Sequence, residues 1–354
     1  MAWQRFSHSL VLSLALLIGA CSPQSANARG APDSLAPLVK KVLPAVVNIA
    51  VTETMSGGDM LSELPPELRD TPLGREFRRR FGNRREQVAG AGSGFIIDSS
   101  GIIVTNNHVV DHADKIIVSL TDGRRLPATV LGRDELTDIA VIKVETKDSL
   151  PSVTWGDSRR AEVGDWIMAA GNPFGLGGSV SVGIISAEGR DLGSGPFDNF
   201  LQLDAPINPG NSGGPVFNME GQVIGVSSVI VSPTGASVGI GFAIPSEAVS
   251  RTVTQLLSKG TIERGWLGVS VEDRDGGVTI ATLDRTGPAA KAGIRAGDVV
   301  IAINGDKIES SRGLIRAVAV VAPGNSVRVM IRRQGHEMEI PVNVGRRPTE
   351  QQAG

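Results

Sequence analysis

Residues Asp204–Phe217 read DAPINPGNSGGPVF, with three glycines and three prolines crowded around a single serine, Ser212. A serine in so glycine-rich a turn is either part of a bend between two strands or a nucleophile held in a shaped loop. The neighbouring sequence decides which, and with it the fold. GNSGG satisfies the G-x-S-x-G pattern of an α/β-hydrolase nucleophile elbow, where a helix follows the serine at once and the triad runs serine, acid, histidine. The residues that follow here, GPVFNMEGQVIGV, read instead as strand, turn and strand.

A serine hydroxyl attacks at neutral pH only beside a base, which a third group must orient. Four histidines are available. His8 lies near the N-terminus, His336 in the hairpin turn RQGHEM, and His112 in the polar, solvated segment VDHAD. His108 ends a strand in VTNNHVVD and is the candidate base. For the acid, DELTDIAVIKV places Asp138 at the mouth of an apolar strand, whereas Asp134 is expected in an exposed turn. A carboxylate entering a buried strand needs a partner, and a histidine N–H would serve. Each residue also has a plainer reading, His108 as a structural histidine and Asp138 as a turn cap.

The chain order decides between hydrolase folds. A serine-acid-histidine order would need His336, far along the chain, while His108, Asp138, Ser212 matches the chymotrypsin-like arrangement on paired β-barrels. In that geometry the backbone N–H groups of Gly210 and Ser212 form the oxyanion hole. His108 and His112 share the i,i+4 spacing of a zinc protease, but Val109 stands where the glutamate is needed and no third ligand is evident. No metal and no cofactor is expected.

Working outward, strand follows strand with turn signals between: SGFIIDSSGIIV, KIIVSLTDGRRLPATVLG, DIAVIKVE, WIMAAG, SVSVGIISAEG and SVGIGFAIP. Such spacing predicts an all-β barrel or sandwich domain. SLAPLVKKVLPAVVNIAV predicts a short helix broken at Pro44 and then a strand. Residues 55–91 are polar and turn-rich and read as a long regulatory loop, including REFRRRFGNRR. A helix is predicted at SEAVSRTVTQLLSK, with Ser246 as N-cap, a stripe of Val249, Val253, Leu256 and Leu257, and a stop at Gly260. This bounds a protease-type domain at 34–260, and residues 264–346 read as a second, small β-rich unit with one or two helices.

Composition fits: 44 glycines and 20 prolines against 4% aromatics favour strands and turns. A net charge of -2 gives no attraction to nucleic acid, which is not an expected partner. The single cysteine, Cys21, excludes a disulfide framework within the chain. Residues 1–28 read as an export signal with an eleven-residue apolar stretch, Leu10 to Ala20. IGAC resembles a lipobox that would make Cys21 a lipid-bearing N-terminus and attach the protein to a membrane, while ANA before Arg29 fits ordinary signal cleavage. An unprocessed membrane anchor is the third reading, and all three place the bulk of the chain outside the cytoplasm.

TNNHVV, TDIAVIKV, GNPFGLGGSVSVGIIS, APINPGNSGGPVF and GIGFAIP, in this order, closely resemble the HtrA/Deg family of bacterial envelope serine proteases. RGWLGV with GPAAKAGIRAGDVVIAING resembles the PDZ domain that follows the protease domain there. The resemblance covers roughly Ser34 to Val344 and implies a chymotrypsin-like double barrel followed by one PDZ domain. It implies that His108, Asp138 and Ser212 are the triad of a periplasmic endopeptidase, a homotrimer that acts on misfolded envelope proteins or makes regulatory cuts. Chaperone or adaptor activity with secondary proteolysis is the competing function. Asn211 stands where digestive relatives carry the aspartate of a zymogen switch, which argues against activation by a new N-terminus. Pro206 and Ile207 stand where trypsin-like enzymes set charge preference. With Ile240 they imply a small apolar S1 pocket. Trp266, Leu267 and Gly268 occupy the carboxylate-binding loop of the PDZ unit, which would take a C-terminal peptide as an added strand.

Overall fold

The computed structural model describes residues 33–56, 71, 85–175, 177–208, 210–233, 237–274 and 277–346. The export signal and Cys21 lie outside the described residues, as does most of the arginine-rich run. From Ala36 onward the chain forms one compact unit.

A helix, α1 (Ala36–Val42), passes through a 3₁₀ turn containing Pro44 into β1 (Val46–Ser56). β1 closes a six-stranded antiparallel barrel with β2 (Arg85–Asp98), β3 (Ile102–Thr105), β4 (Lys115–Ser119), β5 (Arg125–Asp134) and β6 (Ile139–Val144). A one-turn helix, α2 (Asn107–Val110), follows β3. The second closed barrel is built from β7 (Trp166–Gly171), β8 (Ser179–Arg190), β9 (Phe200–Leu203), β10 (Pro215–Phe217), β11 (Val223–Ile230) and β12 (Gly241–Pro245). One apolar cluster spans both, joining Phe95, Ile103 and Ile142 to Met168, Phe217 and Val226. Phe95 meets Trp155 edge-to-face at 5.6 Å.

Residues 55–91 are not a loop throughout. β1 and β2 stay in register out to Ser56 opposite Arg85. The stretch VAGAGSGF lacks the large side chains by which a strand is recognised. Its glycines are what let β2 lie close to its neighbours: a Cβ at Gly90 would crowd Val51, and one at Gly94 would crowd Ile49.

The helix α3 (Ser246–Lys259) packs on β5, β6, β11 and β12 and ends at Gly260, whose φ is +73°. Ser246 is not its N-cap. That position belongs to Pro245, and the buried Ser246 hydroxyl instead donates to Gly156 O (2.7 Å) and accepts from Ser158 N (3.2 Å). Leu257 is exposed, and Thr252 completes the buried stripe with Val249, Val253 and Leu256.

After α3 a short pairing of β13 (Gly265–Trp266) with β20 (Gly345–Arg346) encloses a sheet ordered β14 (Val269–Arg274), β15 (Gly277–Leu283), β16 (Val299–Ile303), β18 (Ser326–Arg333) and β19 (His336–Asn343). β17 (Asp306–Lys307) pairs with β16, and α4 (Pro288–Lys291) and α5 (Ser311–Ala319) cover the core. β14 is an edge strand lying beside α5, with its outer edge open.

Asp298 is 1% exposed and accepts two bonds from Arg333, both 2.7 Å, and one from Arg295 N at 2.8 Å. Burial alone would push its carboxyl up, but these donors outweigh it and hold the group below the ordinary carboxylate range. A depressed carboxylate stabilises the fold above its unfolded pKa, about 3.9, and loses that contribution as pH falls through the folded value. Thermal melts of wild type and Asp298→Asn are therefore expected to differ most near neutral pH, by about 3 kcal/mol. The gap should narrow below about pH 4. A gap independent of pH between 7 and 3 would contradict this.

Candidate active site

The segment DELTD builds a single turn with a carboxylate at each end. Asp134 caps its start by accepting Thr137 N at 3.0 Å and the Thr137 hydroxyl, and Asp138 closes it in a left-handed conformation, φ +52°. That backbone aims Asp138 at α2. Its carbonyl accepts Asn107 N (3.1 Å) and Asn106 Nδ2 (2.9 Å). Its carboxylate accepts His108 N (3.0 Å) and faces His108 Nδ1 from both oxygens, at 2.8 and 3.0 Å. The contact sets the ring so that Nδ1 carries the proton, leaving Nε2 as the basic nitrogen. Ser228 Oγ donates a further bond to Asp138 Oδ2 at 2.9 Å.

Ser212 comes from the other barrel. Its turn is fastened to the first barrel by Ser93, whose N–H donates to Ser212 O (2.9 Å) and whose hydroxyl donates to Gly210 O (2.6 Å) while accepting Asn172 N (2.9 Å). Gly213, at φ +83°, leaves no room for a side chain, because a Cβ there would run into Ser93 O and Thr105 Oγ1. The Ser212 hydroxyl donates to Ser228 O at 3.3 Å rather than to His108. Rotation about its Cα–Cβ bond is therefore needed before Nε2 can take its proton. Among the described residues the N–H groups of Gly210 and Ser212 donate to no protein acceptor. Asn211 is buried, and its Oδ1 has no partner among the described residues.

Ile207 is buried and lies against Gly241, the neighbour of Ile240; Ile240 itself is partly exposed, and its carbonyl accepts Val231 N at 3.1 Å. In the second unit the Leu267 side chain sits in the core, so this residue can offer a ligand only its backbone. A Cβ on Gly268, φ +76°, would come within 3.1 Å of the Trp266 ring. The Trp266–Gly268 segment leads directly into the open edge of β14.

The expectation that Asp134 lies exposed is wrong. It is 7% exposed and grips Arg264 by a two-armed ion pair, with Nη2 to Oδ2 at 2.7 Å. Arg264 also lies over the Phe197 ring, 4.7 Å from its centroid. Local sequence gives no sign of this, because the partner is 130 residues away. Ser228 and Ser93 also went unnoticed in sequence, reading as ordinary polar residues of strands. A cleft of about 1170 Å³ opens on this side of the site, lined by His108, Asp138, Ser228 and Val229 from the barrels and by Arg316 and Val320 from the second unit.

Residues 92–226 match the family model of a trypsin-like peptidase domain, and residues 265–344 that of a PDZ domain. A protein of Brucella suis named as a probable periplasmic serine endoprotease, DegP-like, is 42% identical over 89% of this chain and 69% of its own. One of the same name from Halomonas elongata is 41% identical over 98% of this chain and 78% of its own. Among solved structures, the HtrA-type protease AlgW with a decapeptide superposes with a TM-score of 0.76 at 36% identity, covering 89% of this chain and 99% of that one. The serine endoprotease from Yersinia pestis gives 0.70 at 32% identity, covering 90% of this chain and 100% of that one.

Proposed function

Because this chain belongs to the DegP-like, HtrA-type family of serine endoproteases, we propose that His108, Asp138 and Ser212 are its triad and that it acts in the periplasm on unfolded or misfolded envelope proteins. The observation that carries the assignment is the Asp138 carboxylate on His108 Nδ1 (2.8 Å), with Ser228 bonded to the same carboxylate. His108 Nε2 takes the Ser212 proton as Oγ attacks the scissile carbonyl, Asp138 stabilises the resulting imidazolium, and the Gly210 and Ser212 N–H groups receive the oxyanion. His108 then returns the proton to the leaving amine, and water repeats the cycle on the acyl-enzyme. No energy-rich cofactor is required.

Ile207 and Ile240 form a small apolar S1 pocket. Trp266, Leu267 and Gly268 hold the carboxylate of a C-terminal peptide that adds to β14. The protein assembles as a homotrimer, and lipid on Cys21 would hold it at a membrane.

A digest of unfolded β-casein, with products sequenced by mass spectrometry, tests the reading. Cleavage after Val, Ala or Ile is expected. No cleavage by the wild type would refute the protease assignment on this substrate class, and a preference for Arg or Lys would refute the pocket.

A further inference from the structure

The cleft beside the triad does not close on the protease domain alone. It is lined by His108, Ser228 and Val229, by Leu136 and Phe200, and by Ala319 and Val320 at the end of the PDZ helix α5. Drug-sized ligands fill about 300–1,000 Å³, so a space of about 1170 Å³ has room for a peptide segment rather than for one side chain.

Two features say what lies in it. First, β11 pairs with β10 only as far as Val226, and from Ser228 its edge on that side is open. Ser228 O, whose bond from the Ser212 hydroxyl is long (3.3 Å), is the first acceptor on that edge without a backbone donor among the described residues. A chain added there sets its scissile carbonyl at Ser212 and sends its preceding residues along Val229 into the cleft. Second, the helix α5 is held in place. Arg316 reaches Pro196 O and Asp198 O (2.5 Å), and Arg312 pairs with Asp191. The chain segment bearing these acceptors is the one that turns into β9.

Val320 is 81% exposed, more than any other large apolar residue among those described. An isolated exposed valine is ordinary on a protein surface. This one faces a cleft continuous with the catalytic histidine, and the PDZ core does not use it: α5 buries Leu314, Val318 and Ala319.

We infer that the PDZ unit reads the substrate directly on the acyl side, with Val320 as a specificity-determining residue for an apolar side chain about four residues before the scissile bond. The spacing follows from the volume: about 1170 Å³ corresponds to a mean span of about 10 Å, or three extended residues of about 3.3 Å each beyond the one at the scissile bond. The inference rests on Ser212 being the nucleophile, and it gives the PDZ unit a role separate from capture of a C-terminus.

The test uses the full chain and two fluorogenic peptides with the same residues around the scissile bond. One extends six residues before it with Leu at the fourth, and the other begins at the second. The wild type is expected to prefer the long peptide by roughly tenfold in kcat/KM, carried in KM. Val320→Glu should bring the ratio near one while turning over the short peptide as the wild type does. It should also prefer Lys over Leu at the fourth position, a swap that a merely structural defect would not produce. A wild type indifferent to length, or a Val320→Glu variant that keeps both the tenfold ratio and the preference for Leu, would overturn the proposal. Failure of the wild type to cut either peptide would remove the nucleophile assignment and the proposal with it.

Discussion

Ser212→Ala is expected to lower kcat on unfolded casein by about five to six orders of magnitude, with KM and thermal stability close to wild type. Loss of a triad serine typically has an effect of this order, and what remains comes from oxyanion stabilisation and binding. Stability should survive because the hydroxyl makes one long bond, 3.3 Å to Ser228 O, while the turn is held by backbone and by Ser93. The measurement is initial rates of peptide release at saturating casein, with a melt of both proteins. A variant that kept even a hundredth of the wild-type rate would place the nucleophile elsewhere.

Asp138→Asn is expected to cost about 10⁴ in kcat with the fold intact, the size of the effect in a chymotrypsin-like triad. The carboxylate accepts three donors at once: His108 N, the imidazole Nδ1–H and Ser228 Oγ. An amide has one oxygen for these, and its NH₂ turned toward the ring would favour the tautomer whose Nε2 carries the proton. That tautomer cannot take the Ser212 proton. The measurement is kcat and KM on the same substrate, and NMR of the His108 ring nitrogens reports the tautomer. Activity within tenfold of wild type, or an unchanged tautomer, would remove Asp138 from its role.

These two variants rest on residues that local patterns had singled out. The turn around Ser212, the strand after it and the order of His108 and Asp138 were all readable, because turn chemistry and strand alternation are properties of neighbours in sequence. The β-rich architecture followed from the same signals, and the paired barrels from the order of the three residues and the family resemblance. Where structure departed from expectation, the cause was a partner far along the chain. Asp134 was expected at the surface because aspartate in a DELTD turn usually is, and Arg264 draws it inside. Ser246 precedes an amphipathic run as a cap does, but the 156–158 turn claims its hydroxyl instead. Ser228 and Ser93 sit in strands where serine has no distinctive pattern, so their roles emerge only when the two barrels face each other. The cleft was invisible for the same reason: its walls include His108 and Val320, more than 200 residues apart.

The Arg264–Asp134 pair also bears on where this protein can be divided. By strand and helix the barrels and the helix packed on them end at Gly260, and a cut there looks clean. By charge it ends later, since Asp134 has its counter-ion on the far side of that cut. Severing the chain before Arg264 strands a nearly buried carboxylate at the start of the very turn that ends in Asp138. The two halves share an ionic ledger, so neither evolution nor an engineer can exchange the C-terminal unit for another without also supplying an arginine at its threshold.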